Sequence, residues 1–210
     1  MSKPEEKPNP STSTSAAYAA QICHHLATVF TAPTTTPPPL SVLVDEISAA
    51  SRRGGKIFVY GVGREGLMLK ALCMRLFHLG LPAHCVFDMT TPPITSPDLL
   101  IASAGPGGFA TVDAICSLAR GGGARVLLLT SQPESGSSVK HATAVAHIPA
   151  QTMADDRVGP EGSGSGRALL PMGSVYEGAM FVLFEMVVYE LGEVLGRSPE
   201  EIRARHTNLE

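Results

Sequence analysis

Hydrophobic and polar positions follow two different rhythms along the chain, and the change occurs near residue 56. Before it, apolar residues recur at helical spacing and predict helices over residues 16–30 and 40–53, separated by the proline-rich segment 31–39. After it, short and almost wholly apolar runs alternate with longer segments of helical period. Such runs are typical of strands that are buried on both faces of a sheet.

The second part of the pattern predicts five strands and four helices. The strands are expected at residues 56–60, 83–87, 98–103, 125–130 and 143–149. The helices are expected at residues 66–80, 109–123 and 174–195, and from Ser198. Residues 151–170 form the loop before the helix at 174–195. Ser198 and Glu201 form a capping box at the start of the last helix. Strands separated by helices predict an α/β fold, a three-layer α/β/α sandwich around a five-stranded parallel sheet.

The domain organisation follows from these elements. Residues 1–15 are rich in serine and proline and predict a disordered tail. Residues 16–39 form an N-terminal helix with a Pro/Thr-rich linker, and residues 40–210 form one domain.

Composition narrows the classes of partner. A net charge of -3 argues against a nucleic acid or an anionic membrane surface. No apolar run has the length of a membrane span, and no signal peptide is visible. The cysteines are scattered and predict buried free thiols in a reducing, cytoplasmic compartment: Cys23, Cys73, Cys85 and Cys116.

Two glycine-rich loops each follow a predicted strand and open a predicted helix. Because the carboxyl ends of neighbouring parallel strands meet at one edge, the loops at 61–66 and 104–109 predict a ligand crevice between them. The first loop also fits G-x-G-x-x-G, and Asp88 follows near the end of the next strand. A dinucleotide-binding fold is therefore the alternative, although that fold does not require the second loop.

Several segments together carry a family resemblance: GVGREG…MRLFHLG, TTPPITSPDLLI, IPAQT, LPMGSVYE and RHTNLE. In this order and spacing they resemble the sugar isomerase (SIS) domain proteins, and within them the 6-phospho-3-hexuloisomerases. The resemblance implies a five-stranded parallel sheet with flanking helices and a homotetramer. It also implies interconversion of 3-hexulose 6-phosphate and fructose 6-phosphate without a metal or an organic cofactor.

Isomerisation requires a base that moves a proton between neighbouring carbons and an acid that serves the two oxygens. The resemblance implies that Glu177 is the base and that His206 reaches the crevice of a neighbouring subunit. From the residues alone, Ser174 and Glu177 also form an S-x-x-E capping box, and His206 also fits a solvated surface residue. Glu185 is the second candidate carboxylate, or a structural one if an arginine pairs with it.

The predicted phosphate site departs from the family pattern. Glu65 stands where the first loop usually has serine, and a carboxylate about 4 Å from a phosphate charge is repelled by roughly 4 kcal/mol at an effective dielectric of 20. Arg64 is expected to bind phosphate or to pair with Glu65. The second loop lacks the usual hydroxyls, so its backbone and the helix start at Phe109 must supply donors.

The predicted substrate-binding residues come from both loops and from the end of the fourth strand. They are Gly61, Gly63, Arg64, Glu65, Ala104, Gly105, Gly107, Gly108, Phe109, Thr130 and Ser131. The leading hypothesis is a sugar-phosphate isomerase. The alternatives are an isomerase-like enzyme for a less anionic ligand, and a non-catalytic carbohydrate-derivative-binding or assembly protein on the same fold.

Overall fold

The computed structural model describes residues 10–33, 36–155 and 169–209. The helices are α1 (Pro10–Thr31), α2 (Pro39–Arg52), α3 (Gly63–His78), α4 (Ala110–Gly121), α5 (Ser174–Val194) and α6 (Pro199–Ala204). The strands are β1 (Ile57–Tyr60), β2 (Ala83–Cys85), β3 (Leu99–Ser103), β4 (Arg125–Thr130) and β5 (Ala144–His147). Short 3₁₀ helices follow β4 at Ser137–His141 and β5 at Met153–Asp155.

The largest boundary difference lies at the N-terminus. α1 begins at Pro10, so residues 10–15, predicted as part of a disordered tail, are helical. Proline suits the first turn of a helix, and the next proline is Pro33, so nothing in between stops the helix. Residues 1–9 of the predicted tail and residues 156–168 of the predicted loop lie outside the described residues.

All strand pairs in the sheet are parallel, and the strand order is β2-β1-β3-β4-β5. This is the flavodoxin-like order, in which the chain changes direction across the sheet between β1 and β3. The predicted α/β/α sandwich is confirmed. The dinucleotide-binding alternative is wrong in topology, because that fold does not place its third strand beside its first.

The apolar strands are buried on both faces because successive side chains point to opposite sides of the sheet. On one face, Ile57, Val59 and Ile101 pack in a cluster with residues of α2, α3 and α5. On the other face, Phe58 and Leu100 pack with residues of α4. The continuous apolar runs of the strands therefore account for the two helical layers, since both faces of the sheet must be covered.

The cysteines are free thiols, and three of the four lie inside the fold. Cys73 and Cys116 are buried and Cys85 is half-buried, whereas Cys23 is exposed. The prediction of burial is wrong for Cys23, because α1 packs on the core through a single stripe that includes Leu26 and Cys23 lies off that stripe.

We expect Gly66→Ala to lower the free energy of unfolding by about 1–3 kcal/mol, as overpacking does. A Cβ on Gly66 would clash with the carbonyl oxygen of Gly61. Gly121→Ala is the matched control, because a Cβ there meets nothing within 4 Å, and should change stability by less than about 0.5 kcal/mol. Urea denaturation of both variants measures the difference, and equal effects would contradict the close approach inside the first glycine loop.

Candidate active site

The two glycine loops lie side by side at the carboxyl ends of β1 and β3. The first leads into α3 and the second into α4, and the residues that precede these helices, Val62 and Phe109, make no side-chain capping hydrogen bond. The first amide N–H groups of a helix have no partner inside it, and the helix dipole makes this end attractive to anions. The predicted crevice therefore has two uncapped helix starts along its edge.

Glu65 lies inside the protein, with 7% of its surface exposed. Its Oε2 accepts a hydrogen bond from Ser103 Oγ at 2.5 Å and one from the amide nitrogen of Gly105 at 3.0 Å. The carboxylate turns toward the second loop, where two donors stabilise it, and its predicted repulsion of a bound phosphate stays a prediction. Burial raises the pKa of Glu65, while the hydrogen bonds from Ser103 and Gly105 lower it.

Gly105 leaves the space that Glu65 and Tyr176 occupy. A Cβ on Gly105 would lie 2.9 Å from the Tyr176 ring and 3.1 Å from Glu65 Oε1. Ser103 Oγ is also 3.2 Å from Tyr176 Oη. Ser103 and Tyr176 carry no site signal in the sequence, since neither stands in a glycine loop and only the fold brings them to Glu65.

Hydrogen bonds inside the protein already use the first half of the second loop. The amide of Ala104 donates to the Leu129 carbonyl at 3.0 Å, and that of Gly107 to the Ala104 carbonyl at 2.8 Å. Glu65 takes the Gly105 amide, and proline at position 106 has no N–H. The amides of residues 108–110 donate no hydrogen bond to other described residues, so they remain available to a ligand at the start of α4.

Thr130 and Ser131 shape the second loop from behind. Thr130 Oγ1 is fully buried, lies 3.4 Å from the Gly105 carbonyl and accepts from the Gln132 amide. Ser131 donates its amide to the same carbonyl and its hydroxyl to the Ala150 carbonyl. Their predicted contact with phosphate stays a prediction, and these hydroxyls have protein partners.

Ser137 supplies a hydroxyl that the sequence pattern did not reveal. It begins the 3₁₀ helix after β4, and its Oγ lies so close to Gly108 that any Cβ at position 108 would clash with it. The second loop lacks hydroxyls of its own, and this hydroxyl from another loop donates to the carboxylate of Asp113 in the first turn of α4. A distant serine in a turn carries no sequence signal for this placement.

Glu177 lies in the first turn of α5, but the capping-box interpretation of Ser174 is wrong. The N-cap is Gly173, whose φ of 78° is left-handed, and it makes no side-chain capping bond. Ser174 is already inside the helix, where its hydroxyl donates to the Pro171 carbonyl at 2.7 Å and accepts from Arg64 at 2.9 Å. Glu177 is therefore not used for capping.

Arg64 pairs with Glu177, so the alternative that it pairs with Glu65 is wrong. Arg64 Nη2 lies 3.1 Å from Glu177 Oε2 and also donates to the Met172 carbonyl. The ion pair lacks hydrogen-bond geometry, and Glu177 Oε2 is buried without a hydrogen-bond partner among the described residues. Burial raises the pKa of Glu177, Arg64 lowers it and Glu65 raises it further.

Glu185, the second candidate carboxylate, is paired with an arginine. Its Oε2 lies 3.1 Å from Arg75 Nη1, and about two fifths of each side chain is exposed, at 41% and 38%. This ion pair joins α5 to α3 farther along both helices. It supports the structural alternative for Glu185.

His206 lies at the opposite edge of the sheet from Glu177. Its ring stacks against that of His78, with centroids 5.4 Å apart, and His78 ends α3, whose 16 residues span about 24 Å at 1.5 Å per residue. The predicted capping box of Ser198 and Glu201 is confirmed and starts α6 before this segment. One chain does not bring His206 to the crevice.

A separate cavity of about 310 Å³ lies at the ends of β1 and β2, lined in part by Gly61, Lys70 and Asp88. Asp88 thus belongs to the neighbouring strand pair and not to the β1/β3 crevice. Across residues 10–33, 36–155 and 169–209, no helix is long and apolar enough to cross a membrane. The same residues contain no group of three His, Cys, Asp or Glu side chains arranged to hold a metal ion.

Comparison with known proteins decides which family the chain belongs to. No model of a protein family matches the chain. The 3-hexulose-6-phosphate isomerase of Mycobacterium gastri is 36% identical over 180 residues, or 86% of this chain and 84% of that protein. The chain belongs to the 3-hexulose-6-phosphate isomerase family. The Bacillus subtilis member is 34% identical over 155 residues, or 74% of this chain and 80% of the relative.

Solved structures agree with the family. A Methanococcus jannaschii protein, whose structure is described as inferring a molecular function of 3-hexulose-6-phosphate isomerase, matches with a TM-score of 0.73. It is 26% identical and covers 91% of this chain and 98% of its own. The resemblance seen in the sequence is confirmed: the chain belongs to a family of isomerases.

We expect Gly173→Ala to destabilise the protein by about 1–2 kcal/mol, because a side chain at a left-handed φ is strained. Ser174→Ala should cost less than about 0.5 kcal/mol, since the hydroxyl is not a helix cap and partly exposed sites tolerate such changes. Thermal unfolding of both variants tests this order. A larger loss for Ser174→Ala than for Gly173→Ala would restore the capping-box interpretation.

Proposed function

We propose that this chain is a 6-phospho-3-hexuloisomerase that interconverts 3-hexulose 6-phosphate and fructose 6-phosphate. Membership in the 3-hexulose-6-phosphate isomerase family supports the reaction class. The observation that carries the assignment to this crevice is Glu177, whose Oε2 is buried without a hydrogen-bond partner among the described residues. A carboxylate that is paired with Arg64, has one oxygen without a hydrogen bond and has a raised pKa suits a general base.

The reaction moves a carbonyl from C3 to C2 of the sugar. Glu177 takes the proton from C2, the electron pair forms the enediol between C2 and C3, and the same carboxyl returns the proton to C3. Arg64 lies 3.1 Å from Glu177, and its positive charge stabilises the negative charge that develops on the enediol oxygens. The accompanying transfer between the two oxygens is assigned to His206 of a neighbouring copy.

The phosphate binds in this proposal at the start of α4. The amides of residues 108–110 supply its donors, and the helix dipole favours the anion. Gly61 and Gly63 form the facing wall at the start of α3. Because Glu65 takes the Gly105 amide, the second loop alone offers fewer donors than its glycines suggest.

The proposed active assembly is a homotetramer, supported by the outer face of α5. Phe181 and Tyr189 on this face are 56% and 75% exposed. They line an open apolar groove of about 520 Å³ together with Leu40 and Met186. Exposed aromatic and aliphatic side chains that share one groove suit contact with another copy of the chain. A neighbouring copy is also what the role of His206 requires.

We expect Glu177→Gln to lower kcat by at least about 10²–10⁴-fold, because the amide cannot accept the carbon-bound proton. Glu193→Gln, at an exposed position of the same helix outside the lining of the apolar groove, should remain within about threefold of wild type. The measurement is ¹³C NMR of 3-hexulose 6-phosphate conversion, with deuterium uptake from D₂O at the exchanged carbon. Glu177→Gln activity close to wild type would remove Glu177 from the base role.

The same assay with unphosphorylated hexuloses separates the alternatives. A phosphoisomerase should prefer the phosphorylated ketose by orders of magnitude in kcat/KM. Faster turnover of the unphosphorylated sugar would favour an isomerase for a less anionic ligand. Saturable binding without turnover of either sugar would favour a non-catalytic carbohydrate-binding protein.

Shared active sites predict complementation between inactive variants. Glu177→Gln and His206→Asn should each be inactive alone, whereas a refolded mixture should recover a measurable fraction of wild-type activity, since some crevices combine the two intact residues. Light scattering should show a tetramer at micromolar concentration. A monomer, or a mixture without recovered activity, would contradict the shared site.

A further inference from the structure

A buried carboxylate that the proposed mechanism does not use lies beneath the candidate base. Glu65 Oε2 accepts from Ser103 Oγ at 2.5 Å, and the same hydroxyl oxygen lies 3.2 Å from Tyr176 Oη. Tyr176 is 1% exposed and directly precedes Glu177 in the first turn of α5. A chain of short polar contacts thus connects Glu65 to the turn that carries Glu177.

The charged groups that act on Glu177 come from the start of α3. Burial raises the pKa of Glu177; the adjacent Arg64 lowers it and Glu65 raises it. The third group, Tyr176 from α5, is neutral, and burial together with both carboxylates raises its pKa well above 10. Among the described residues, the electrostatic balance at Glu177 is therefore between one guanidinium and one buried carboxylate.

We propose that Glu65 is a positioning residue for the base: its buried carboxylate holds the second glycine loop against the start of α5 and sets the pH at which Glu177 accepts a proton. The role of Glu177 as base rests on the proposed function. The coupling between Glu65 and Glu177 does not depend on that function, since it rests on the polar contacts from Glu65 to Tyr176 and on the charge of Glu65 near Glu177.

Glu65 opposes two groups that favour the ionised form of Glu177. A cation at 3.1 Å and the positive end of α5 both favour the ionised form of Glu177, which makes it a weaker base. The negative charge of Glu65 opposes both effects. Burial raises the pKa of Glu65, and the hydrogen bonds from Ser103 and Gly105 limit that rise, because hydrogen bonds to a carboxylate favour its ionised form.

Glu65→Gln tests the proposal in the active enzyme. The amide keeps the size and an oxygen acceptor for the Gly105 N–H but removes the charge. The acidic limb of the pH profile of kcat/KM should move to lower pH by the order of one unit, because a neighbouring like charge is lost. Glu193→Gln, which removes an exposed carboxylate of α5 outside the lining of the apolar groove, should leave the limb where it is. An unshifted limb in Glu65→Gln would overturn the proposal.

A titration of the wild-type protein needs no substrate and no altered Glu65. The side-chain carboxyl resonance of Glu177, labelled with ¹³C and assigned by its loss in Glu177→Gln, should titrate in two steps, since two interacting carboxyls share their protonation. In Glu65→Gln it should titrate in one step at lower pH. A single step at the same pH in both proteins would overturn the coupling even if Glu65→Gln were too unstable for kinetics.

The two experiments separate this inference from the proposed function. Two-step titration in a protein that isomerises no ketose phosphate would refute the proposed function while supporting the coupling. Isomerisation with a pH profile that is unchanged in Glu65→Gln would support the proposed function and refute the coupling.

Discussion

The hydrogen bonds that Ser103 and Gly105 donate to the carboxylate of Glu65 join the two glycine loops to each other. A buried carboxylate is stable only where donors compensate its lost hydration, and here a backbone amide and a hydroxyl do so. The contact requires glycine at position 105, since a side chain there would meet both Glu65 and Tyr176. It thereby determines how closely the start of α5, and with it Glu177, approaches the second loop.

Three helices begin at the same edge of the sheet without a capping side chain. These are α3, α4 and α5, whose N-cap residues are Val62, Phe109 and Gly173. Their unpaired amides and aligned dipoles make this edge favourable for negative charge. Each of these helices places a carboxylate of its own there: Glu65 is held inside by hydrogen bonds, Asp113 accepts from Ser138, and Glu177 is paired with Arg64. An anionic substrate therefore enters an edge whose positive potential the protein has already partly used.

The same sheet separates the two residues that the proposed proton transfers require. α3 starts at the crevice and ends beside His206, so within one chain the length of this helix lies between the histidine and Glu177. α5 presents exposed aromatic side chains on its outer face, although its inner face fills the core. Both features have one explanation if the catalytic unit is an assembly of copies. The fold is then complete in one chain, whereas the site is complete only in the assembly.

Local sequence determined the layers, the loops and the family of this protein, whereas tertiary structure decided the partners of the site residues. Continuous apolar runs require burial on both faces of a strand, and the Ser198 capping box involves residues three apart, so both are visible in the sequence. The partners of Arg64 are not visible in the sequence. Ser174 lies 110 residues away, Glu177 follows in the same helix, and Glu65 is an equally plausible partner from the sequence. Ser174 and Glu177 also match a capping-box pattern. The helix instead begins after Gly173, whose left-handed backbone makes that box unnecessary. The direction of the Glu65 side chain depended on donors from β3 and the second loop, which only the parallel pairing of β1 with β3 brings within hydrogen-bond distance.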